Sequence, residues 1–422
     1  MINTVIDHNV INKVVEQFGT PVLCFEHDEI EKYVGKMLHI LPTAASLVYS
    51  VKAGPNPYII RYLFNHGGYF ETASEGELMY LLSLRVPASK IIVSGQGKTK
   101  EYIELAISNG VTKFNLESEN EIKMLSVYKK DNNLNCSIRI NPNLSNNRAV
   151  LKMGGVPSAY GIDENQLDRI LSKDTENVLN GIFMYAGSQF FHAEDIIYNT
   201  EYLLNKCVEI YNKTGRQFEY FDFGGGFGVP EDDIDGELDM ELLSDSLSKL
   251  FDSYLYGDAF KKTKNMFFES GRYISARTAA LIIKVLDIKE SWGQKFLITD
   301  MGINSLGVKQ HDYRIYPPVV KQLITNDTIE EYTVVGRTCT PIDETHPKCQ
   351  LSKVNVGDIL YIPDCGAYSL TFSPNNFCGL RRVQEVVHKE GFFLVTNRTE
   401  SWDEVYGRTV IYKNIEQGEK WC

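Results

Sequence analysis

Four short stretches of this chain hold residues that could do chemistry together. "YSVKAGPNP" (49–57) sets Lys52 at the end of an apolar run, just before Gly54, Pro55 and Pro57 break the chain. "AGSQ" (186–189) presents Ser188, "FDFGGGFG" (221–228) holds the triplet Gly224, Gly225 and Gly226, and "ESGR" (269–272) brings Glu269, Gly271 and Arg272. Each has a plain structural reading: a solvated strand end, a helix N-cap, a tight turn and a surface ion pair. Together they read differently. Glycines without Cβ atoms let backbone N–H groups come close to an anion. Arg272 can add a charge-assisted clamp and Ser188 a hydroxyl donor. A lysine amine can take an aldehyde covalently, and a carboxylate beside a pyridine nitrogen favours its charged form. An amine, a phosphate cradle and a carboxylate are what pyridoxal 5'-phosphate (PLP) requires, with Lys52 and Glu269 in the two reactive roles.

The elements around these residues predict how they meet. Short β-rich runs recur at 46–51, 69–73, 91–95, 113–117, 136–141, 181–187, 219–225 and 266–270. Amphipathic helical patterns separate them, and "TKEYIELAISNG" and "SENEIKMLSVYKKD" open on Thr or Ser with an acid two or three residues on, which is N-capping chemistry. Eight strands, each with room for a helix, predict a (β/α)8 barrel with its active site at the C-terminal strand ends and phosphate near the loops after strands seven and eight. An open doubly wound sheet fits less well, because no early GxGxxG opens the first unit. After about residue 280 the helical period disappears and strands alternate with short turns, which predicts an antiparallel β domain, barrel or sandwich. The expected division is a PLP-binding barrel over 27–278 and a β domain built from 1–26 and 279–422.

The chain has 422 residues, 43% of them apolar, enough for two sizeable cores. A net charge of −12 without a Lys/Arg cluster argues against nucleic-acid binding. The first residues, "MINTVIDHNVINKVVEQFG", lack the apolar core of a signal peptide, and no window approaches a membrane span, so a cytoplasmic protein is expected. Eight cysteines (24, 136, 207, 339, 349, 365, 378 and 422) show no CxxC or paired metal spacing. Seven of them read as small buried thiols and no metal site is expected; the exception is Cys339, within "GRTCTPID".

Collinear motifs carry a resemblance over nearly the whole chain: "YSVKAGPNP", "ETASEGEL", "RINPN", "GSQ", "FGGGFG", "ESGR", "GRTCTPID" and "DCGAYSLTFSPNNFCG". The sequence resembles the fold-type III PLP-dependent decarboxylases, the diaminopimelate/ornithine/arginine decarboxylase family. The resemblance implies an alanine racemase-like barrel plus β domain, and a homodimer with shared active sites. It makes Lys52 the lysine that carries PLP and Glu269 the partner of the pyridine nitrogen. Ser188, Gly226, Arg272 and Tyr368 become phosphate contacts, with Gly225 and Gly271 in the same loops. Cys339, reaching in from the other subunit, would protonate the carbon that loses CO2.

Departures from that pattern bear on the substrate. Tyr185 stands where most relatives have a histidine stacked on the cofactor ring, and tyrosine has a different proton inventory. The residue after the cysteine is Glu in diaminopimelate enzymes and Asp in ornithine enzymes; here it is Thr340, which cannot form that ion pair. The 300–318 segment lacks the Arg-Pro that diaminopimelate enzymes carry there. Thr340, Asp343 and Tyr313 are the expected substrate contacts. These features resemble the branch that includes L-glutamyl-[acyl-carrier-protein] decarboxylase and siderophore-type enzymes, whose amino acids are tethered or condensed onto something larger. A carrier-borne or otherwise conjugated amino acid in a natural-product or siderophore-type pathway is therefore the expected substrate. The alternatives are a free diamino-acid decarboxylase, an amino-acid racemase, disfavoured by Glu269 where racemases place Arg, and a non-catalytic PLP-binding protein, which would lack the β domain.

Overall fold

The computed structural model describes residues 6–129, 132–144, 147–174, 176–230, 236–307 and 318–407. They form two compact units, one of Glu26–Ala279 with Asp364–Thr371, the other of Ile6–Phe25, Ala280–Pro363 and the chain from Phe372 onward.

In the first unit eight strands close a parallel barrel in sequence order: β1 (Ala45–Ser50), β2 (Tyr69–Thr72), β3 (Ile91–Val93), β4 (Lys113–Leu116), β5 (Asn135–Asn141), β6 (Leu179–Met184), β7 (Tyr220–Asp222) and β8 (Asn265–Ser270). Parallel pairing runs from each strand to the next, and β8 returns to β1 with Glu269 opposite Val48. A short strand, Ile162–Asp163, pairs beside β5. Helices follow at Pro57–Asn65, Glu75–Ser83, Lys100–Ser108, Glu119–Lys129, Leu167–Lys173, Ala193–Thr214, Met240–Tyr254 and Arg272–Ser275. Several begin on a side-chain cap close behind a strand: Asn56 accepts from Tyr58 N, Ser74 from Glu77 N, Thr99 from Tyr102 N and Ser118 from Glu121 N. These caps satisfy N–H groups that a helix start leaves open, which lets the chain turn within a few residues of the strand end.

The barrel interior has an apolar layer and a polar one. Val48, Ile92, Tyr220 and Phe267 are fully buried, with the Tyr69 and Phe267 rings edge-to-face at 4.9 Å. Truncating a buried phenylalanine in such a layer costs about 3–5 kcal/mol. The polar layer centres on Asn115 of β4. Its amide donates to Ser94 Oγ (3.0 Å) and Asp222 Oδ2 (3.1 Å) and accepts from Ser137 Oγ (2.5 Å) and Tyr220 Oη (3.1 Å). Both donors and both acceptor directions are used, which is what a buried amide needs.

The second unit carries one sheet in the order Glu344–Ser352, Ile329–Val335, Gln294–Thr299, Ala279–Ser291, Val22–Glu26, Gln384–Lys389 and Phe392–Asn397. Ile359–Ile362 joins its Ala279–Ser291 strand antiparallel and also pairs Lys321–Gln322. The other pairs with a resolved register are antiparallel as well, except that Gln294–Thr299 runs parallel to Ile329–Val335. Among the described residues, no helix is long and apolar enough to cross a membrane, and no group of three or more His, Cys, Asp or Glu could hold a metal ion.

Candidate active site

The barrel unit carries nine of the predicted residues at the C-terminal ends of β1, β6, β7 and β8, in the loops that follow them, and on the returning segment Asp364–Thr371. Lys52 sits in a single 3-10 turn, Val51–Ala53, that ends β1. Its ammonium is bound by both oxygens of Glu71, from β2, at 2.7 and 2.9 Å. The lysine side chain remains 44% exposed while that of Glu71 is 5% exposed, so the amine is anchored from within and approachable from outside. Burial works against the charge on Lys52, but Glu71, with Tyr368 and Glu269 behind it, holds the ammonium above the usual lysine range. Glu71 is correspondingly held down: burial opposes its ionisation, and the Lys52 charge outweighs it.

Glu269 ends β8 and is buried, and its Oε1 has no hydrogen-bond partner among the described residues. Burial first, then the neighbouring Asp222 and Glu71, push its carboxyl well above the ordinary carboxylate range. Asp222, at the end of β7, is buried too and pushed up to about 7, although Gly224 N (3.0 Å) and Asn115 both donate to it. Like charges crowded in a dry site cannot all ionise, so this cluster keeps a proton at neutral pH.

The glycines are explained by close packing. Gly224 and Gly226 have φ of +64° and +93°, the left-handed region that disfavours side chains, and a Cβ on Gly226 would lie 2.3 Å from the Gly187 carbonyl oxygen. A Cβ on Gly225 would lie 2.0 Å from the Glu269 carbonyl oxygen. Phe190 N donates to Gly226 O and Gly228 N to Phe190 O, both at 2.9 Å, zipping the loop after β6 to the loop after β7. Ser188 stands in the first of these loops, paired in register with Leu151. Gly271 precedes the short helix that carries Arg272, and the Arg272 guanidinium lies 4.8 Å from the Tyr368 ring centroid. Tyr368 itself has φ +55° and donates its N–H to Ala53 O at 2.7 Å, one residue from Lys52. Tyr185 follows β6; burial raises its hydroxyl pKa, which keeps it a neutral donor. Arg139 of β5 faces the Tyr185 ring at 5.8 Å and is fixed by Glu117 at 3.0 Å.

Glu71, Asp222, Arg139 and Asn115 do not stand out in the sequence. Three of them lie inside recognisable motifs ("ETASEGEL", "FDFGGGFG", "RINPN"), where the signal is present but attaches to their neighbours.

Cys339, Thr340 and Asp343 share one loop of the second unit. Asp343 is buried, and its carboxylate accepts from Ile303 N (2.8 Å), Thr338 N (2.7 Å) and Thr338 Oγ1 (2.5 Å). These bonds make it the residue that shapes the loop. Thr340 is partly exposed, its carbonyl accepting from Asp343 N at 3.1 Å. Cys339 is exposed with its sulfur 3.3 Å from that of Cys378, so Cys378 is not the buried thiol the sequence suggested. Tyr313 lies outside the described residues.

The model for the pyridoxal binding domain of pyridoxal-dependent decarboxylases matches residues 27–276. The chain belongs to this family. Proteins similar to it include the L-glutamyl-[BtrI acyl-carrier protein] decarboxylase of Niallia circulans, 28% identical over 95% of this chain and 96% of that protein. The diaminopimelate decarboxylase of Methanothermobacter thermautotrophicus is 26% identical over 93% and 92%. The solved diaminopimelate decarboxylase of M. jannaschii in complex with L-lysine shares the fold, with a TM-score of 0.85 at 24% identity over 95% and 94% of the chains. A pyridoxal-dependent decarboxylase is a carboxy-lyase, and its cofactor is PLP. The residues present fit that group: a buried carboxyl oxygen lacking a partner, an approachable anchored amine and a glycine-walled loop stand on the same barrel.

Proposed function

We propose that the enzyme removes the α-carboxylate of an amino acid whose far end is conjugated, as on a carrier-protein thioester or an amide. The observation that carries this reading is the loop 336–343. Its residue next to Cys339 is the neutral Thr340, and its one carboxylate, Asp343, is spent on the loop's own N–H groups. A free ammonium at the substrate's far end would find no charged partner there. The name of the Niallia circulans relative supports the same direction.

Bound PLP supplies the electron sink that accepts the pair left by departing CO2. Lys52 is the amine that would hold the cofactor's aldehyde, and Glu71 fixes where that amine stands. Glu269, with its unpartnered Oε1, would hold a proton at the ring nitrogen and serve as its counter-charge. Ser188, Gly225, Gly226, Gly271, Arg272 and Tyr368 would hold the phosphate, and Tyr185 would meet the ring as a neutral phenol. The Cys339 thiol delivers the proton to the α-carbon, from the partner subunit of a homodimer.

The test compares kcat/KM for free diaminopimelate, ornithine and lysine with that for carrier-thioester and amide conjugates. A neutral contact contributes about 0.5–1.5 kcal/mol and a charged one about 1.5–3, so conjugates should lead by roughly tenfold or more. Thr340→Glu should shift preference toward free diamino acids. If the wild-type enzyme turns over free diaminopimelate as efficiently as any conjugate, it is a free diamino-acid decarboxylase instead.

A further inference from the structure

We propose that Cys339 and Cys378 close a reversible disulfide that takes the Cys339 thiol out of the reaction. The loss of activity rests on the reading of Cys339 as proton donor; the cross-link does not. Both cysteines are exposed and their sulfurs are already in contact at 3.3 Å, although 39 residues separate them in the chain. A disulfide bond is ~2.05 Å long, so closing the gap asks for little more than a side-chain rotation.

Their backbones are also fixed. Asp343 ties the Cys339 loop to Thr338 and Ile303. Cys378 lies in the 3-10 turn Phe377–Gly379 at φ +57°, and Gly379, at φ +62°, has Tyr406 so close that a Cβ there would meet its hydroxyl. Cys24, Cys136, Cys207, Cys349 and Cys365 are buried, and burial pushes the Cys136 and Cys349 thiols up to about 12, which makes them poor nucleophiles. Contact with Cys378 raises the Cys339 thiol as well, but among the described cysteines only this pair is exposed to an oxidant in solution.

The reaction balances with a peroxide as oxidant. One thiol attacks the O–O bond, giving a sulfenic acid and releasing an alcohol or water. The second thiol then displaces the sulfenic oxygen as water, forming the S–S bond. The two sulfurs lose two electrons and the peroxide gains them. A dithiol reverses the step by exchange.

To test it, the holoenzyme is treated with hydrogen peroxide or diamide, free thiols are alkylated, and peptides are mapped. The expected result is a peptide joining residues 339 and 378, lighter by the two thiol hydrogens. Decarboxylation should fall at least tenfold and return with dithiothreitol. Cys378→Ser should keep basal turnover, form no cross-link and resist diamide. Cys339 recovered as unmodified thiol or as sulfenic acid without a link to Cys378 overturns the proposal, as does full activity in fully cross-linked enzyme. Cys339→Ala reports separately on the underlying reading: wild-type turnover in that variant removes Cys339 from catalysis whatever the oxidation experiment gives.

Discussion

Glu269 and Asp222 show how residue position converts ordinary carboxyls into proton stores. A pyridine nitrogen needs a proton and a counter-charge, and a neutral amide supplies neither. Glu269→Gln should therefore keep PLP bound, seen as unchanged visible absorbance per subunit, while kcat drops on the order of 100-fold, comparable to losing one preorganised electrostatic group. Near-normal turnover would dismiss the role. Borohydride reduction of the yellow holoenzyme should leave the pyridoxyl group on Lys52, as peptide mapping can establish. Asp222 makes a prediction in pH. Its carboxyl, ordinarily near 3.8, is raised to about 7 by burial. A group raised on folding favours the native state while protonated, so that contribution is present below about 3.8 and is lost as pH climbs through about 7. Cofactor-free protein should lose thermal stability over that window, and Asp222→Asn should flatten the slope. Equal slopes in the two proteins would move the effect to another group.

At the scale of elements, the eight barrel strands were legible because each is a short β-rich run behind a capped helix, a local signal. The loops that carry Lys52, Gly226 and Glu269 were legible for the same reason, since glycine and a charge at a strand end stand out from an apolar run. The Asn115 network was not. Its partners, Ser94, Ser137, Tyr220 and Asp222, lie 21 to 107 residues away, and nothing in a single asparagine states which strands will surround it. The loop-shaping part of Asp343 was not legible for a related reason: residue type gives a charge but no direction, and its partners Thr338 and Ile303 lie on both sides of a strand. Each buried N–H left without its acceptor costs about 1–3 kcal/mol. Asp343→Ala should lower the urea unfolding free energy by at least that amount, whereas a surface-like loss under about 0.5 kcal/mol would mean the loop is held by something else.

For the whole molecule, the proposed homodimer would carry Cys339 into the active site of the other subunit. Lys52→Ala and Cys339→Ala proteins should each be inactive in normal turnover. After subunit exchange they should recover part of the wild-type rate, because a hybrid dimer contains one intact site. Exchange confirmed by mass with no recovered activity would mean that each site is built within one chain. The net charge of −12 adds a requirement if the substrate rides on an acidic carrier: docking must use a local cationic patch, and its rate should fall with added salt.

The segment Asp364–Thr371 has a consequence for how this protein could have changed over time. It leaves the sheet unit, donates Tyr368 N to Ala53 O and Gly366 N to Ala276 O, and then returns. The cofactor pocket is therefore not inherited as one contiguous stretch of gene. A recombination event anywhere between 280 and 363 separates Lys52 from Tyr368, so a β domain borrowed from a relative arrives with its own residue against Ala53 and Arg272. Swapped-in domains could succeed only where they bring a residue tolerating the left-handed backbone at 368. That ties the evolution of the second unit to the barrel's cofactor more tightly than two separate folds would suggest.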